Sequence, residues 1–304
     1  MKNIKNFLKI STLVLIFAIS SCKKNNDVVV DPVVPAPTPA LTAQSTNDVA
    51  YGTDALQKFD MVLPAGRSTA TTKVLIVIHG GSWTAGDKAD MTAYINAMKI
   101  SLPNYAFFNL NYRLASTSGT NLFPTQENDV KAAVDFINNN RATYNISDKI
   151  SLLGASAGAH LALLQAYKYA TPKIKAVVDL YGPTDMAEMY NNPATSVSSP
   201  QLVAGVGFLT SGVFGGNPTT HAAAFNASSP IRYVTAQSPP TIMFHGGVDA
   251  VVRYQQSTAL ETKLNQFGVV KQYVFYPSEN HAYMGPSLDD TFVKSIAFLN
   301  ANVQ

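Results

Sequence analysis

The stretch ISLLGASAGAHL, residues 150–161, decides how the rest of the chain is read. Ile150 to Leu153 form a short apolar run of strand type, and a helical pattern runs from Ala157 to Ala170. Between them stands Gly154-Ala155-Ser156-Ala157-Gly158. A serine at a sharp strand-to-helix turn sits in a strained conformation, and neighbouring backbone collides with it unless the residues on either side are small. The same turn sets the helix N-terminus beneath the serine, where unpaired N–H groups and the positive dipole end face any negative charge that develops. Ser156 is therefore the candidate nucleophile and Ala157 N–H a candidate donor to an oxyanion.

Outward from this turn the chain repeats one pattern. Apolar strand candidates lie at Val74 to His79, Ala106 to Tyr112, Ile150 to Leu153, Ile174 to Tyr181, Thr241 to Phe244 and Gln272 to Tyr276. Helix-length segments lie between and after them, at Lys88 to Ser101, Thr125 to Asn139, Ala157 to Ala170, Tyr254 to Gln266 and Asp289 to Asn302. Continuous apolar strands alternating with helices predict a mainly parallel, doubly wound α/β sheet covered on both faces. An alternating strand from Leu56 to Leu63 precedes them. The stretch 183–239 breaks the pattern. It is rich in Gly, Ser, Asn and Pro yet holds Phe208, Phe214 and Phe225, and a connection of that length is expected to form a cap over a site.

Further candidate residues stand at strand ends. His79-Gly80-Gly81-Ser82-Trp83 closes an early strand, as expected of a loop that offers a second N–H to an oxyanion. Gly81 and Ser82 are the candidate donors and Trp83 a candidate wall of the pocket; a plain glycine turn is the alternative. Asp249 falls just past the strand Thr241 to Phe244, whereas Asp289 and Asp290, the other candidate acids, look like the start of the last helix. Of the five histidines, His79 and His245 end strands, His160 lies one turn beyond Ser156 and His221 lies in the cap. His281 follows the last strand and completes the order Ser, Asp, His. No histidine has metal-ligand spacing, and the chemistry needs no metal or other cofactor.

The N-terminus is basic, apolar from Ile10 to Ile19, then small: the pattern of a signal peptide, too short for a stable membrane span. Ile19-Ser20-Ser21-Cys22 resembles the lipobox of a bacterial lipoprotein, which implies cleavage after residue 21 and lipid on Cys22. The expected organisation is residues 1–21 signal peptide, 22–50 proline-rich tether and 51–304 one domain. The chain would then be exported and lipid-anchored in the bacterial envelope, at the outer membrane, facing periplasm or exterior. Three of the 22 basic residues (Lys2, Lys5 and Lys9) lie in the leader, leaving 19 against 19 acidic ones. That balance lacks the footprint of a nucleic-acid binder. Oligomeric state is not legible.

Taken together, Tyr51-Gly52, HGGSW with Gly86-Asp87-Lys88, GASAGAHLA, Ser229-Pro230-Ile231, HGGVD and His281 resemble bacterial esterases of the α/β-hydrolase superfamily. The similarity points to the feruloyl and acetyl-xylan esterase-like (BD-FAE-like) branch, near the hormone-sensitive-lipase-like carboxylesterases. The resemblance implies a triad of Ser156, Asp249 and His281, an ester substrate, and acetyl or hydroxycinnamoyl groups on plant polysaccharide or its oligosaccharides as the natural target. A general short-chain carboxylesterase, a serine peptidase and a non-catalytic binding module are the alternatives. Ser82 stands where such families often carry a third glycine and would narrow the pocket; Tyr283 is a further candidate pocket residue.

Overall fold

The computed structural model of the protein describes residues 40–116, 118–194 and 212–304. The expected signal peptide, Cys22, most of the tether and Phe208 lie outside the described residues. Eight strands form one sheet: β1 (Gln44–Ala50), β2 (Lys58–Leu63), β3 (Lys73–Ile78), β4 (Tyr105–Leu110), β5 (Ile150–Ala155), β6 (Ile174–Leu180), β7 (Thr241–Gly246) and β8 (Lys271–Tyr276). Their order is β1-β2-β4-β3-β5-β6-β7-β8. β1 and β2 join antiparallel and every pairing from β4 to β8 is parallel. This is the α/β-hydrolase fold.

The predicted alternation of strands and helices is present. Helices α1 (Thr92–Lys99), α2 (Thr125–Asn139), α3 (Arg141–Tyr144), α4 (Ala157–Lys168), α5 (Met186–Asn191), α6 (Ala222–Ala227), α7 (Gln255–Gln266) and α8 (Pro286–Asn302) follow in chain order among the described residues. The helix expected from Lys88 opens as a 3-10 turn, Lys88–Met91, capped by Asp87. The last helix starts at Pro286, three residues before the acid pair, because Pro suits a first helical position.

Alternate strand residues sort onto two cores, as a pleated strand buried on both faces requires. Val74, Ile76 and Ile78 of β3 join Val130 and Val134 of α2, Leu161 of α4 and Leu260 of α7. Leu75 and Val77 face the other way, onto Ile95 and Met98 of α1 and Phe298 and Leu299 of α8.

One expectation needs correcting. The tether does not run to residue 50, because Gln44–Ala50 is strand β1, paired with β2 from Gln44↔Leu63 to Ala50↔Lys58 around a bulge. Its polar residues lie largely exposed at the sheet edge, so no apolar alternation marked them. Lys88 Nζ, 3.1 Å from Asp48 and 2.9 Å from Asp60, ties this edge to the turn after the glycine loop.

Two glycines set how closely α4 approaches the sheet. A Cβ on Gly158 would run into the carbonyl oxygens of Ile78 and His79, and one on Gly154 into the backbone of Gly158. Replacing Gly158 by Ala is expected to cost roughly 2–3 kcal/mol of unfolding free energy. Gly212→Ala, where a Cβ meets nothing within 4 Å among the described residues, should stay within about 0.5 kcal/mol of the parent. Urea unfolding of both variants checks the contrast.

Candidate active site

Three loops at the carboxyl ends of β5, β7 and β8 bring Ser156, Asp249 and His281 together. Ser156 has φ 53° and ψ −118°, a conformation that costs about 1–3 kcal/mol in a non-glycine residue and persists only where the surroundings enforce it. Here the serine N–H continues the sheet by donating to Leu180 O at 2.8 Å, while its carbonyl accepts from His160 N at 3.1 Å to open α4. The turn cannot relax without breaking one or the other.

His281 Nε2 lies 3.0 Å from Ser156 Oγ, and Nδ1 lies 2.7 Å from Asp249 Oδ2. The carboxylate fixes the tautomer: Nδ1–H donates to Asp249, so Nε2 presents a lone pair to the serine hydroxyl. Asp249 Oδ1 accepts from the backbone N–H groups of Val251 and Val252, both at 2.8 Å. Burial alone would push this carboxyl up, but hydrogen bonds from His245 and His281 hold it well below the usual carboxylate range. The arrangement can draw a proton from the serine and hold the resulting imidazolium.

Beside the serine lies the glycine loop. A Cβ on Gly80 would stand 2.9 Å from Ala155 O and 3.3 Å from Ser156 Cβ, so only glycine allows this approach. Gly81, Ser82 and Trp83 all have positive φ, at 103°, 53° and 63°, and Gly81 O accepts from the N–H groups of Thr84 and Ala85. The loop is clamped from behind by Tyr112, whose hydroxyl donates to His79 O at 3.1 Å and Gly80 O at 3.2 Å and whose ring stacks on His79 at 4.3 Å. The amides of Gly81, Ser82 and Ala157 make no hydrogen bond among the described residues, which leaves three donors beside the nucleophile. No group of three His, Cys, Asp or Glu side chains gathers as a metal site among the described residues.

Two expected pocket residues belong to the core instead. Trp83 is only 3% exposed; it packs against Phe214 and donates from Nε1 to His160 Nδ1 at 3.1 Å. Tyr283 is 5% exposed, its hydroxyl bonded to Thr291 and its ring set edge-on to Tyr181 and Tyr276. Both are large aromatic rings whose polar atom found a buried partner, a property that position in sequence does not reveal. Asp289 and Asp290 lie in the first turns of α8, where Asp290 accepts from Tyr276 and Lys294, away from His281.

His160 is fully buried and serves as a tie. Because Nδ1 accepts from Trp83, Nε2 carries the proton and donates to Ser228 O at 2.6 Å. One ring thus links the glycine loop, the elbow helix and the described part of the cap, whose Phe214 and Phe225 rings pack 4.9 Å apart. Residues missed in the sequence include Tyr112 and Tyr181. The latter has φ 48° and its ring lies 4.7 Å from that of His281. Neither stands in a motif that would single it out.

Two buried groups near the elbow titrate in opposite senses. Burial pushes His160 down to about 4, so the stability it contributes is complete above its unfolded value of 6.5 and is lost as pH falls toward 4. Burial pushes Asp179 up to about 7, so its contribution is complete below 3.8 and is lost as pH rises toward 7. Acidification from pH 6.5 to 4.5 therefore sets one loss against one gain. Asp179→Asn keeps the acceptor for Gly182 N–H but removes the gain, so the variant should lose about 2–3 kcal/mol more than the parent over that interval in urea melts. Parallel profiles would contradict the assignment.

Comparison with known proteins bears on this geometry. The BD-FAE family model matches residues 59–264, which takes in Ser156 and Asp249. Esterase LipQ of Mycobacterium tuberculosis is 28% identical over 270 residues, covering 83% of this chain and 60% of the relative. The chain thus spans about 60% of the length of that curated relative. A solved "Truncated form of carbohydrate esterase from gut microbiota" superposes with TM-score 0.70 at 25% identity, covering 87% of this chain and 98% of its own. A bifunctional GH43-CE of Bacteroides eggerthii gives TM-score 0.68 at 26% identity, over 83% of this chain and 38% of its own. With the family model matching well over half of its length, the chain belongs to the BD-FAE family of α/β hydrolases.

Proposed function

We propose that the protein is a serine esterase that hydrolyses carboxylic esters through an acyl-enzyme. The observation that carries this is the continuous line from Ser156 Oγ through His281 to Asp249, at 3.0 and 2.7 Å, beside three free backbone donors. Ser156 Oγ attacks the ester carbonyl as its proton passes to His281 Nε2. The oxyanion takes hydrogen bonds from Ala157 N–H and from Gly81 or Ser82 N–H. As the tetrahedral intermediate collapses, the C–O bond to the alcohol breaks and the imidazolium returns the proton to the leaving oxygen. Water, deprotonated by the same imidazole, then attacks the acyl-enzyme and frees the acid and Ser156.

The names of the similar proteins support this chemistry: the mycobacterial relative is an esterase, and the gut structure is a carbohydrate esterase. On that support, the substrates proposed are acetyl or feruloyl esters of plant polysaccharide or its oligosaccharides. Export and anchoring through lipid on Cys22 complete the proposal, placing the enzyme in the bacterial envelope with substrate delivered from outside the cell.

Hydrolysis of a short-chain chromogenic ester near pH 8 is expected to fall by roughly ten-thousand-fold or more in Ser156→Ala, without loss of fold. Activity that survives the substitution would overturn the serine mechanism. Among acetylated xylan, methyl ferulate and longer acyl esters, the acetyl and feruloyl esters should give the highest kcat/KM; a preference for long aliphatic acyl chains would contradict the substrate proposal. Cys22→Ala should shift the protein from the membrane fraction to the soluble one.

A further inference from the structure

Beside Asp249 lies a second histidine. His245 is the penultimate residue of β7, its side chain is fully buried, and Nε2 stands 3.2 Å from Asp249 Oδ2, the oxygen that also receives His281 Nδ1–H. Its protonation is readable from its partners. Nε2 lies 2.8 Å from Val252 O, which can only accept, so Nε2 carries the hydrogen. Nδ1 lies 2.7 Å from Ser257 Oγ on α7 and is left to accept from that hydroxyl. The Nε2–H points to Val252 O, with Asp249 Oδ2 a second, off-line neighbour 3.2 Å from Nε2.

Asp249 thus has two backbone N–H groups on Oδ1, and on Oδ2 the His281 Nδ1–H together with the His245 Nε2–H edge, 3.2 Å away. Resting on the triad proposed above, we infer that His245 is a positioning residue that fixes the rotation of the Asp249 carboxylate and withdraws part of its charge from His281. The physical consequence has a definite sign. A carboxylate that loses one donor offers more negative charge to the imidazolium, so His281 protonates more readily and less of the enzyme holds a free base at a given pH.

Other groups face the same region. Asp179 on β6 acts electrostatically on His245, Ser257 faces it from α7, and Tyr181 packs its ring on His281. Asp179 is the one of these that titrates near neutrality, so it must be separated from His245 by its own variant.

The experiment is the pH profile of kcat/KM for a small ester, measured on the wild-type protein, His245→Phe, His245→Gln and Asp179→Asn. The acidic limb should move to higher pH by roughly half a unit or more in His245→Phe, with kcat lowered more than KM is raised. In His245→Gln, whose side-chain amide offers an N–H in the place of Nε2–H, the limb should return most of the way. In a further variant that combines Asp179→Asn with His245→Phe, the limb should still move relative to Asp179→Asn alone. A limb that stays in place in both His245 variants while activity falls would overturn the inference and leave His245 a packing residue. If His245→Phe does not fold, the far-downfield proton resonance of His281 Nδ1–H decides the matter: it should shift between wild type and His245→Gln less than between wild type and His245→Asn, and equal shifts would overturn the inference. Failure of the triad itself would show separately, as activity retained in Ser156→Ala.

Discussion

The site depends on one close approach, that of the N-terminal turn of α4 to the carboxyl end of β3. Gly158 lies against the carbonyls of Ile78 and His79, and Gly80 lies against Ala155 and Ser156. Each approach is possible only without a Cβ, and each holds the other in place. Together they force Ser156 into its positive φ, aim Ala157 N–H at the same space as the glycine loop, and leave the serine hydroxyl exposed above the sheet edge. The backbone strain at Ser156 is sustained by the sheet bond to Leu180 on one side and the first helical bond to His160 on the other.

Around that contact, buried polar side chains tie together segments distant in the chain. Tyr112 clamps the glycine loop from β4, and His160 joins Trp83 to Ser228. Val251 and Val252 N–H groups, with His245, hold the carboxylate that orients His281. Most of these hydrogen bonds are buried, where losing one partner leaves the other unsatisfied at a cost of about 1–3 kcal/mol. Such a frame keeps the reacting groups near 3 Å from one another without help from substrate, as an enzyme that relies on preorganised dipoles requires.

Much of this was legible in the sequence, for identifiable reasons. The strands from β3 to β7 are apolar on both faces, and GASAG and HGG stand at strand ends, so Ser156, Asp249 and His281 could be placed by chain order and the glycines by sterics. Where the signal is not apolar periodicity, the reading failed. β1 is polar and sits at the edge, so it passed for tether. Trp83 and Tyr283 were assigned to a pocket because aromatic residues near a site suit either role; only the bond to His160 and the bond to Thr291 distinguish them. Tyr112 and Tyr181 rest on contacts between residues tens of positions apart, and the second role of His245 rests on how one loop folds its side chains together, neither of which a local pattern carries.

The central claim is that Ser156 is made nucleophilic by its neighbours. Its most direct test is the reaction of the folded protein with an organophosphonate ester, followed by intact-mass measurement and peptide mapping. A single stoichiometric adduct on Ser156, formed in the native protein and not in protein denatured before exposure, is the expected result. An unmodified protein, or an adduct on another residue while Ser156 stays free, would contradict the account.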